Sequence, residues 1–331
     1  MRASVVVPTY NRRQLLTKCL NGLLDQTITQ DDYEIIVVDD CSTDDTQRYM
    51  EEMIRQVKNL IYVRHEANKG RVAARNEGIW LAKSDIVIFL DNDNIPSRYF
   101  IETHLRYHKF YGDEHIAVVG NAYFSFETIK GSNFGRFLQS RYLGCRTQKE
   151  LKKLNLTNLP PNYLGGLNHS IRKEDLVAVG LYDTSFRYYG GEDEYMGYSL
   201  KKLGVRIVFS EEAKSIHYDN ISISRYKIKY MEAGREGLPI MIKKNPDYKK
   251  TSKIGWLMPI EMGRDSLINI FRKVAIQCIL NRVTLKLIET FAIATDNWPW
   301  AYYQYVYRLL TAGWFLQGFR SKERGRGIVN Y

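Results

Sequence analysis

The sequence predicts an open, mainly parallel α/β sheet flanked by helices, with a helical extension at its C-terminal end. Three observations carry that expectation. Short β-branched apolar runs recur at 3–8, 33–38, 60–63 and 86–90, each of strand length and apolar enough for burial on both faces. Segments with apolar residues at helical spacing lie between them, the alternation expected of βα units. Three of these runs end in polar residues, Thr9-Tyr10-Asn11, Asp39-Asp40 and Asp91-Asn92-Asp93. Right-handed crossovers bring such ends to one edge of the sheet, where open α/β sheets bind ligands.

The elements follow in order. Ala3-Ser4-Val5-Val6-Val7-Pro8 is the first strand, and Leu15, Leu16, Cys19, Leu20, Leu23 and Leu24 form the apolar face of a helix. Tyr33–Val38 is the second strand. Ser42 is placed to cap the next helix, with Asp45 in its first turn. Leu60–Val63 is a third strand, Asn68-Lys69-Gly70 a turn, and 71–83 a helix. Ile86–Leu90 is the fourth strand, closed by Pro96. Ala117–Tyr123 reads as a further strand and 125–160 as a polar, aromatic, irregular loop. A helix spans 173–179. Gly190-Gly191 forms a tight loop before a helix beginning at Glu192, and two short strands, Ile207–Phe209 and Ala213–Asp219, close the core.

Composition bounds the rest. At 331 residues with 44% hydrophobic content, the chain can build a real core. Cys19, Cys41, Cys145 and Cys278 show no zinc-like or C-x-x-C spacing and read as reduced thiols. A strand-like start leads to the expectation of no signal peptide and a cytoplasmic protein. Residues 1–220 balance 29 basic against 29 acidic residues, whereas 221–331 hold 19 basic and 8 acidic ones. The division expected is therefore a core at 1–220, with halves 1–115 and 116–220, and a basic, aromatic-rich helical region at 221–331. The excess charge implies an anionic partner there. Val274–Ala294 contains Arg282, Lys286 and Glu289 and is not read as a transmembrane helix. Trp298–Leu316 is dense in Trp and Tyr, and Arg320, Lys322, Arg324 and Arg326 follow it. That pattern suits an anionic membrane surface, touched from the inner face as a peripheral protein. A helical subdomain packing on the core would also account for it. No nucleic-acid-binding motif accompanies the charge.

Asp91 and Asp93, one residue apart at a strand exit, are candidate ligands for a hard divalent cation, Mn2+ or Mg2+, that also touches a diphosphate. A solvated acidic turn is the plainer alternative. A carboxylate at the second strand end can accept from a uracil imide or ribose hydroxyls, and Tyr10 can stack. No G-x-G-x-x-G follows the first strand and no P-loop segment occurs, which weighs against dinucleotide and P-loop chemistry.

Four segments, Val6-Val7-Pro8-Thr9-Tyr10-Asn11-Arg12, Val37-Val38-Asp39-Asp40-Cys41-Ser42-Thr43-Asp44, Asn68-Lys69-Gly70 with Ala74-Arg75-Asn76-Glu77-Gly78, and Phe89-Leu90-Asp91-Asn92-Asp93, resemble the successive motifs of family 2 glycosyltransferases in order and spacing. Cys41 departs from the family's usual Gly, Asn or Ala. The resemblance implies the GT-A fold, a nucleotide-sugar donor, UDP-linked, and an inverting transfer to a glycan, lipid-linked, peptide or small-molecule acceptor. It implies donor contacts from Pro8, Thr9, Tyr10, Asn11, Asp39, Asp40, Gly70, Arg75, Asp91 and Asn92, with Asp93 and Asp91 at the metal. Tyr163–Arg172 is similar to the strand that lies under the sugar, which implies acceptor or sugar contacts from Gly166, Asn168 and His169. Read alone, His169 is a packed core histidine. Glu192-Asp193 resembles the family's Glu-Asp motif, implying Asp193 as the general base and Glu192 as its aid. On local grounds both acids simply favour a helix N-terminus. His217 resembles a third metal ligand, against a structural role. Two competing readings are a sugar-phosphate nucleotidyltransferase, for which Pro8-Thr9-Tyr10-Asn11 lacks a Gly-rich basic turn, and a non-catalytic nucleotide-binding scaffold.

Overall fold

Every residue of the first strand, β1 (Ala3–Thr9), is buried, and that single fact sets the architecture. In the computed structural model, which describes residues 1–251, 253–258, 260 and 265–323, the strand lies inside a sheet covered on both faces. The other strands are β2 (Tyr33–Asp39), β3 (Leu60–Arg64), β4 (Ile86–Leu90), β5 (Asn94–Pro96), β6 (Ile116–Phe124), β7 (Asn168–Arg172) and β8 (Arg206–His217). Among the described residues their order is β3-β2-β1-β4-β7-β6-β8-β5. β3, β2, β1 and β4 run parallel. β7 pairs antiparallel with β4 and β6, β8 runs parallel to β6, and β5 antiparallel to β8.

Side chains alternate across this sheet. Val5, Val7, Ile35, Val37, Ile88 and Leu90 share a cluster with Leu16, Leu20 and Leu23 of α1 (Arg13–Leu24) and with Phe100 and Ile101. α2 (Thr46–Gln56) adds Met50 to the same layer. Val6 faces the other way onto α3 (Arg71–Leu81). A Cβ at Gly78 would stand 2.3 Å from Val6 Cγ1, so only glycine lets the helix axis approach this closely.

Chain geometry forces the sheet to curl. β4 and β5 are joined by Asp91, Asn92 and Asp93 alone, a reach of at most about 14 Å from Leu90 to Asn94. Three strands stand between β4 and β5 in the sheet order, a separation of about 19 Å were the sheet flat. The second half of the sheet therefore bends back until β5 meets the end of β4. That bend brings the ends of β6 and β8 to the acidic corner.

Two details differ from the expectation. The polar stretch Ser210-Glu211-Glu212 does not break the last strand. It bulges within one continuous β8, opposite the register shift between Val119 and Asn121, with Ser210 Oγ accepting from Ala213 N at 3.1 Å. Ser42 does not cap α2. Its hydroxyl serves Asp39 and Asn11 instead, while Asp44 Oδ1 accepts from Thr46 N at 3.1 Å.

The chain clusters into two compact units. One comprises 1–128, 138–187 and 192–220 and holds the sheet. The other comprises 129–137, 188–191 and 221–331. The second is helical: Ile223–Glu232, Leu238–Lys244, Leu267–Ile279, Arg282–Ala294 and Gln304–Glu323 are its longer helices. Two of them cross at glycines. A Cβ at Gly234 would stand 1.9 Å from Phe315 O, and one at Gly318 1.9 Å from Met231 O. Much of the aromatic run at 298–316 is core here: Tyr307, Leu310, Trp314 and Leu316 are at most 2% exposed. Phe137 stacks against Tyr307, Phe134 lies tilted on the same ring, and Phe134 meets Tyr226 and Trp314 edge-on. Arg324 and Arg326 lie outside the described residues.

Candidate active site

The acidic corner between β4 and β5 is built from the chain outward. Asp93 is anchored through its carbonyl, which accepts from Tyr218 N at 2.8 Å. Its Oδ1 accepts from Asn94 Nδ2 at 3.1 Å and faces His217 Nε2 at 3.5 Å. Its Oδ2 pairs with the Arg12 guanidinium. His217 ends β8, with its ring stacked on Phe124 at 4.8 Å and Nδ1 bonded to Tyr142 OH at 2.8 Å. The Tyr142 contact orients the ring so that Nε2 turns to the carboxylate, as a hydrogen bond to the other ring nitrogen does for a ligating histidine. Asp93 and His217 could together hold a divalent cation such as Mn2+, which would supply charge stabilisation there. Asp93 and His217 therefore fit a cation. Asp91 is directed elsewhere. No group of three acidic, His or Cys side chains poised for a metal occurs among the described residues.

Asp91 belongs to Arg75. This arginine on α3 is fully buried. Its Nη2 donates to Asp91 Oδ1 at 2.9 Å and Gly166 O at 3.0 Å, and its Nη1 to Asp193 Oδ1 at 2.7 Å. The Tyr182 ring lies 5.4 Å from its guanidinium carbon. Burial alone would lower the Arg75 pKa, but the Asp193 and Asp91 carboxylates outweigh it and keep the group charged. Gly166 is required here: a Cβ would fall 2.2 Å from Arg75 Nη2 and 2.6 Å from Asp193 Oδ2. Gly190 and Gly191, at φ 96° and 101°, turn the chain into the helix Glu192–Lys202, which begins at the two acids. Glu192 is 3% exposed. Burial raises its pKa against the pull of Arg71, with which Oε1 pairs. Oε2 has no partner.

At the second strand end the acids are held by the protein itself. Asp39 Oδ1 accepts from Ser42 N and Oγ at 2.9 and 2.5 Å, and Oδ2 from Tyr62 OH at 2.8 Å. Asp40 Oδ1 takes His65 Nδ1 at 2.8 Å and Lys69 N at 2.7 Å, and Oδ2 takes Gly70 N at 2.8 Å. Gly70, at φ 90°, needs this carboxylate to fix the turn into α3. Asn11 sits at φ 50° and its Oδ1 accepts from Thr43 N at 2.6 Å, which latches the first strand end to the second. Pro8 and Thr9 are buried at the end of β1, and Thr9 Oγ1 accepts from Asn92 Nδ2 at 2.7 Å. Tyr10 is 45% exposed beside them. Cys41 sits at φ 68°, the left-handed region that glycine and asparagine tolerate and cysteine does not favour.

Two expected sugar contacts do not line the site. Asn168 is 2% exposed and His169 fully buried. Asn168 donates to Ala213 O at 2.8 Å and meets His104 Nε2 at 3.0 Å. His169 stacks on Phe89 at 4.7 Å and bonds Tyr182 OH at 2.7 Å, and burial drives its pKa well down. Adjacent on β7, the two side chains point to opposite faces of the sheet, and both faces are covered there, by His104 over Asn168 and by Tyr182 over His169. Conversely, Arg12 and Arg71 were not assigned roles from sequence. Each directly follows a predicted turn, the place where a cation reaches a strand-end carboxylate.

The family model described as Glycosyl transferase family 2 matches residues 4–170. Chondroitin synthase of Escherichia coli is 28% identical over 243 residues, covering 65% of this chain and 34% of that protein. Validoxylamine A glucosyltransferase of Streptomyces hygroscopicus subsp. jinggangensis is 30% identical over 236 residues, covering 64% and 54%. The chain thus spans between about a third and a half of these relatives' lengths. In three dimensions it is similar to the mannosyltransferase PcManGT of Pyrobaculum calidifontis, solved with GDP-Man and Mn2+, at TM-score 0.65 and 16% identity, covering 98% of this chain and 88% of that one. S. aureus TarS 1-349 with UDP-GlcNAc aligns at TM-score 0.53 and 16% identity, covering 99% and 93%. At these identities the likeness speaks for the fold alone, the GT-A fold.

Proposed function

The chain belongs to glycosyl transferase family 2, and we propose that its site performs an inverting, metal-dependent transfer from a UDP-sugar to an acceptor hydroxyl. One observation carries the reading: a single buried guanidinium, Arg75, holds Asp91 of the acidic corner and Asp193 of the helix start at fixed spacing. An inverting transfer needs a carboxylate on one side of the anomeric carbon and diphosphate stabilisation on the other. In this reading Asp193 takes the acceptor proton. Arg75 fixes its Oδ1, and the side chain remains 21% exposed. Glu192, anchored by Arg71, holds the helix start in place. When bound, a divalent cation held by Asp93 and His217 would stabilise the charge on the departing diphosphate.

On the donor side, Tyr10 packs on the nucleobase and the Asp39–Asp40 corner recognises it. Asp40 does so chiefly by shaping the loop at 65–70, since three of its acceptor positions are taken. Asn92, held by Thr9, lies near the ribose or diphosphate. The UDP-GlcNAc complex of a similar fold supports a nucleotide-sugar donor, and the Mn2+ in another supports the cation. The names of Escherichia coli chondroitin synthase and Bacillus spizizenii poly(ribitol-phosphate) beta-glucosyltransferase, 37% identical over 95 residues, favour a glycan or polymer acceptor. The validoxylamine relative supports a second reading with a small-molecule acceptor. A nucleotide-sugar panel scored by donor hydrolysis, with and without EDTA, tests the proposal. Hydrolysis of a UDP-sugar that EDTA abolishes is expected. No turnover of any donor, or turnover indifferent to EDTA, would overturn it.

A further inference from the structure

Among the described residues, the helical unit carries an apolar face that nothing covers. On the helix Leu267–Ile279, Leu267, Phe271 and Val274 are 84, 74 and 43% exposed. Their spacing puts them on one side. On the helix Arg282–Ala294, Val283, Leu287 and Phe291 are 71, 66 and 52% exposed at the same kind of spacing. Trp298 and Trp300 follow, stacked on each other at 5.3 Å and 48 and 80% exposed. The opposite sides of both helices are in use: Leu280 and Leu285 form a cluster with Leu316, and Ile276 packs on it. Each helix is thus docked through one side and bare on the other, an arrangement that marks an interaction surface.

Charge identifies the occupant. Every acid between 265 and 310 is turned to a partner within the unit. Asp265 pairs with Lys273 at 2.6 Å, and Glu289 with Lys227 at 2.9 Å and Trp314 Nε1 at 3.1 Å. Asp296 accepts from Ser132 Oγ and Phe134 N, both at 2.8 Å. The exposed charges of the same stretch, Arg272, Arg282, Lys286 and Arg308, are all positive. A second copy docking by twofold symmetry would oppose this positive face with itself. An anionic surface would not. No helix among the described residues is long and apolar enough to cross a membrane, so contact would be interfacial.

We propose that this face seats the chain on an anionic bilayer. Phe271, Val283 and Leu287 enter the acyl boundary, Trp298 and Trp300 lie at headgroup depth, and Arg282 and Lys286 meet lipid phosphates. The docking surface is the pair of helices at 267–294 with the tryptophan pair, not the buried helix that follows. It is independent of the reaction the other unit performs.

Flotation with phosphatidylcholine vesicles, with and without phosphatidylglycerol, tests the proposal without donor or acceptor. The chain should float with the mixed vesicles and be released by high salt. The double variant Arg282→Gln/Lys286→Gln should bind roughly tenfold less or weaker still. Phe271→Ser/Leu287→Ser should stop floating while its circular dichroism and Tm stay at wild-type values, since both positions are exposed. A folded chain that stays down with the mixed vesicles would overturn the proposal, as would equal flotation with neutral vesicles. So would a solution dimer that Phe271→Ser/Leu287→Ser splits, with no vesicle binding, which would make the face a contact between copies.

Discussion

Arg75 Nη1 donates to Asp193 Oδ1 at 2.7 Å, joining a helix that begins in the first half of the chain to one that begins in the second. The other terminal nitrogen reaches Asp91 at 2.9 Å. Removing this arginine leaves two carboxylates facing each other with little water. Arg75→Met should therefore cost about 3–5 kcal/mol of unfolding free energy, the scale for breaking a buried ion pair, read by urea denaturation. A loss under about 1 kcal/mol would mean that the guanidinium does not hold the site together.

Asp193→Asn keeps the shape and the Arg75 contact while removing the proton acceptor. Transfer should fall about 100-fold or more, with UDP affinity by calorimetry near wild type. Persistent transfer, or a parallel loss of UDP affinity, would pass the role of base to Glu192.

Asp93 and His217 should act as one unit toward the cation. Mn2+ titration followed by thermal shift in the presence of UDP should show a wild-type rise in Tm that Asp93→Asn and His217→Ala each abolish. Equal Mn2+ response in all three proteins would remove both residues from the metal assignment.

Asp40 organises the turn before α3 through Lys69 N and Gly70 N. Asp40→Ala leaves those donors unpaired, at about 1–3 kcal/mol each if they stay buried. Both stability and UDP affinity should drop together. A variant of wild-type stability that binds UDP as tightly as the parent would sever the link between this carboxylate and the nucleotide.

Cys41 holds a left-handed backbone with a side chain that makes only long contacts, 3.5 Å to Glu66 O and 3.7 Å from Arg64 Nη2. The strain is about 1–2 kcal/mol, partly offset by the extra chain entropy of glycine, about 0.5–1 kcal/mol. Cys41→Gly should raise stability by up to about 1 kcal/mol and leave transfer unchanged. A lowered Tm would show that the thiol contributes packing which outweighs the strain.

Burial lowers His104 to about 4 and His108 to about 3. Both bind Ser170 Oγ at 2.9 Å. The unfolded chain takes up these protons near the ordinary histidine value and the folded chain does not. Stability should therefore be full above about pH 6.5 and fall as pH drops toward 4, by about 1.4 kcal/mol per pH unit for each histidine. Glu192, whose pKa is raised by burial, opposes this, gaining stability as pH falls through its folded value. Urea midpoints at pH 7.5 and 5.5 should differ less in His104→Gln/His108→Gln than in wild type. An unchanged slope would assign the acid sensitivity to other groups.

The sequence by itself determined the parallel core of the sheet and its chemistry-bearing edge. Val5–Val7, Ile35–Val38 and Ile86–Leu90 are apolar without alternation because both faces are covered, and their polar exits mark the ligand edge whatever packs around them. The helix start at Glu192 was legible for the same local reason, two glycines and then acids. Tertiary structure decided which exits meet. His217 reaches Asp93 only because a three-residue link forces the sheet to curl, and a curl is a property of strand order, which periodicity does not encode. Asn168 and His169 match a site motif yet are interior, because both faces of the sheet are covered where β7 runs. Phe134 and Phe137, read as part of an irregular loop, join the helical unit through their rings. Much of the aromatic run at 298–316 is buried, and exposed apolar side chains stand instead on the helices before it, for a related reason. Composition reports how much apolar surface a segment owns, and only packing decides which part of it is used up inside.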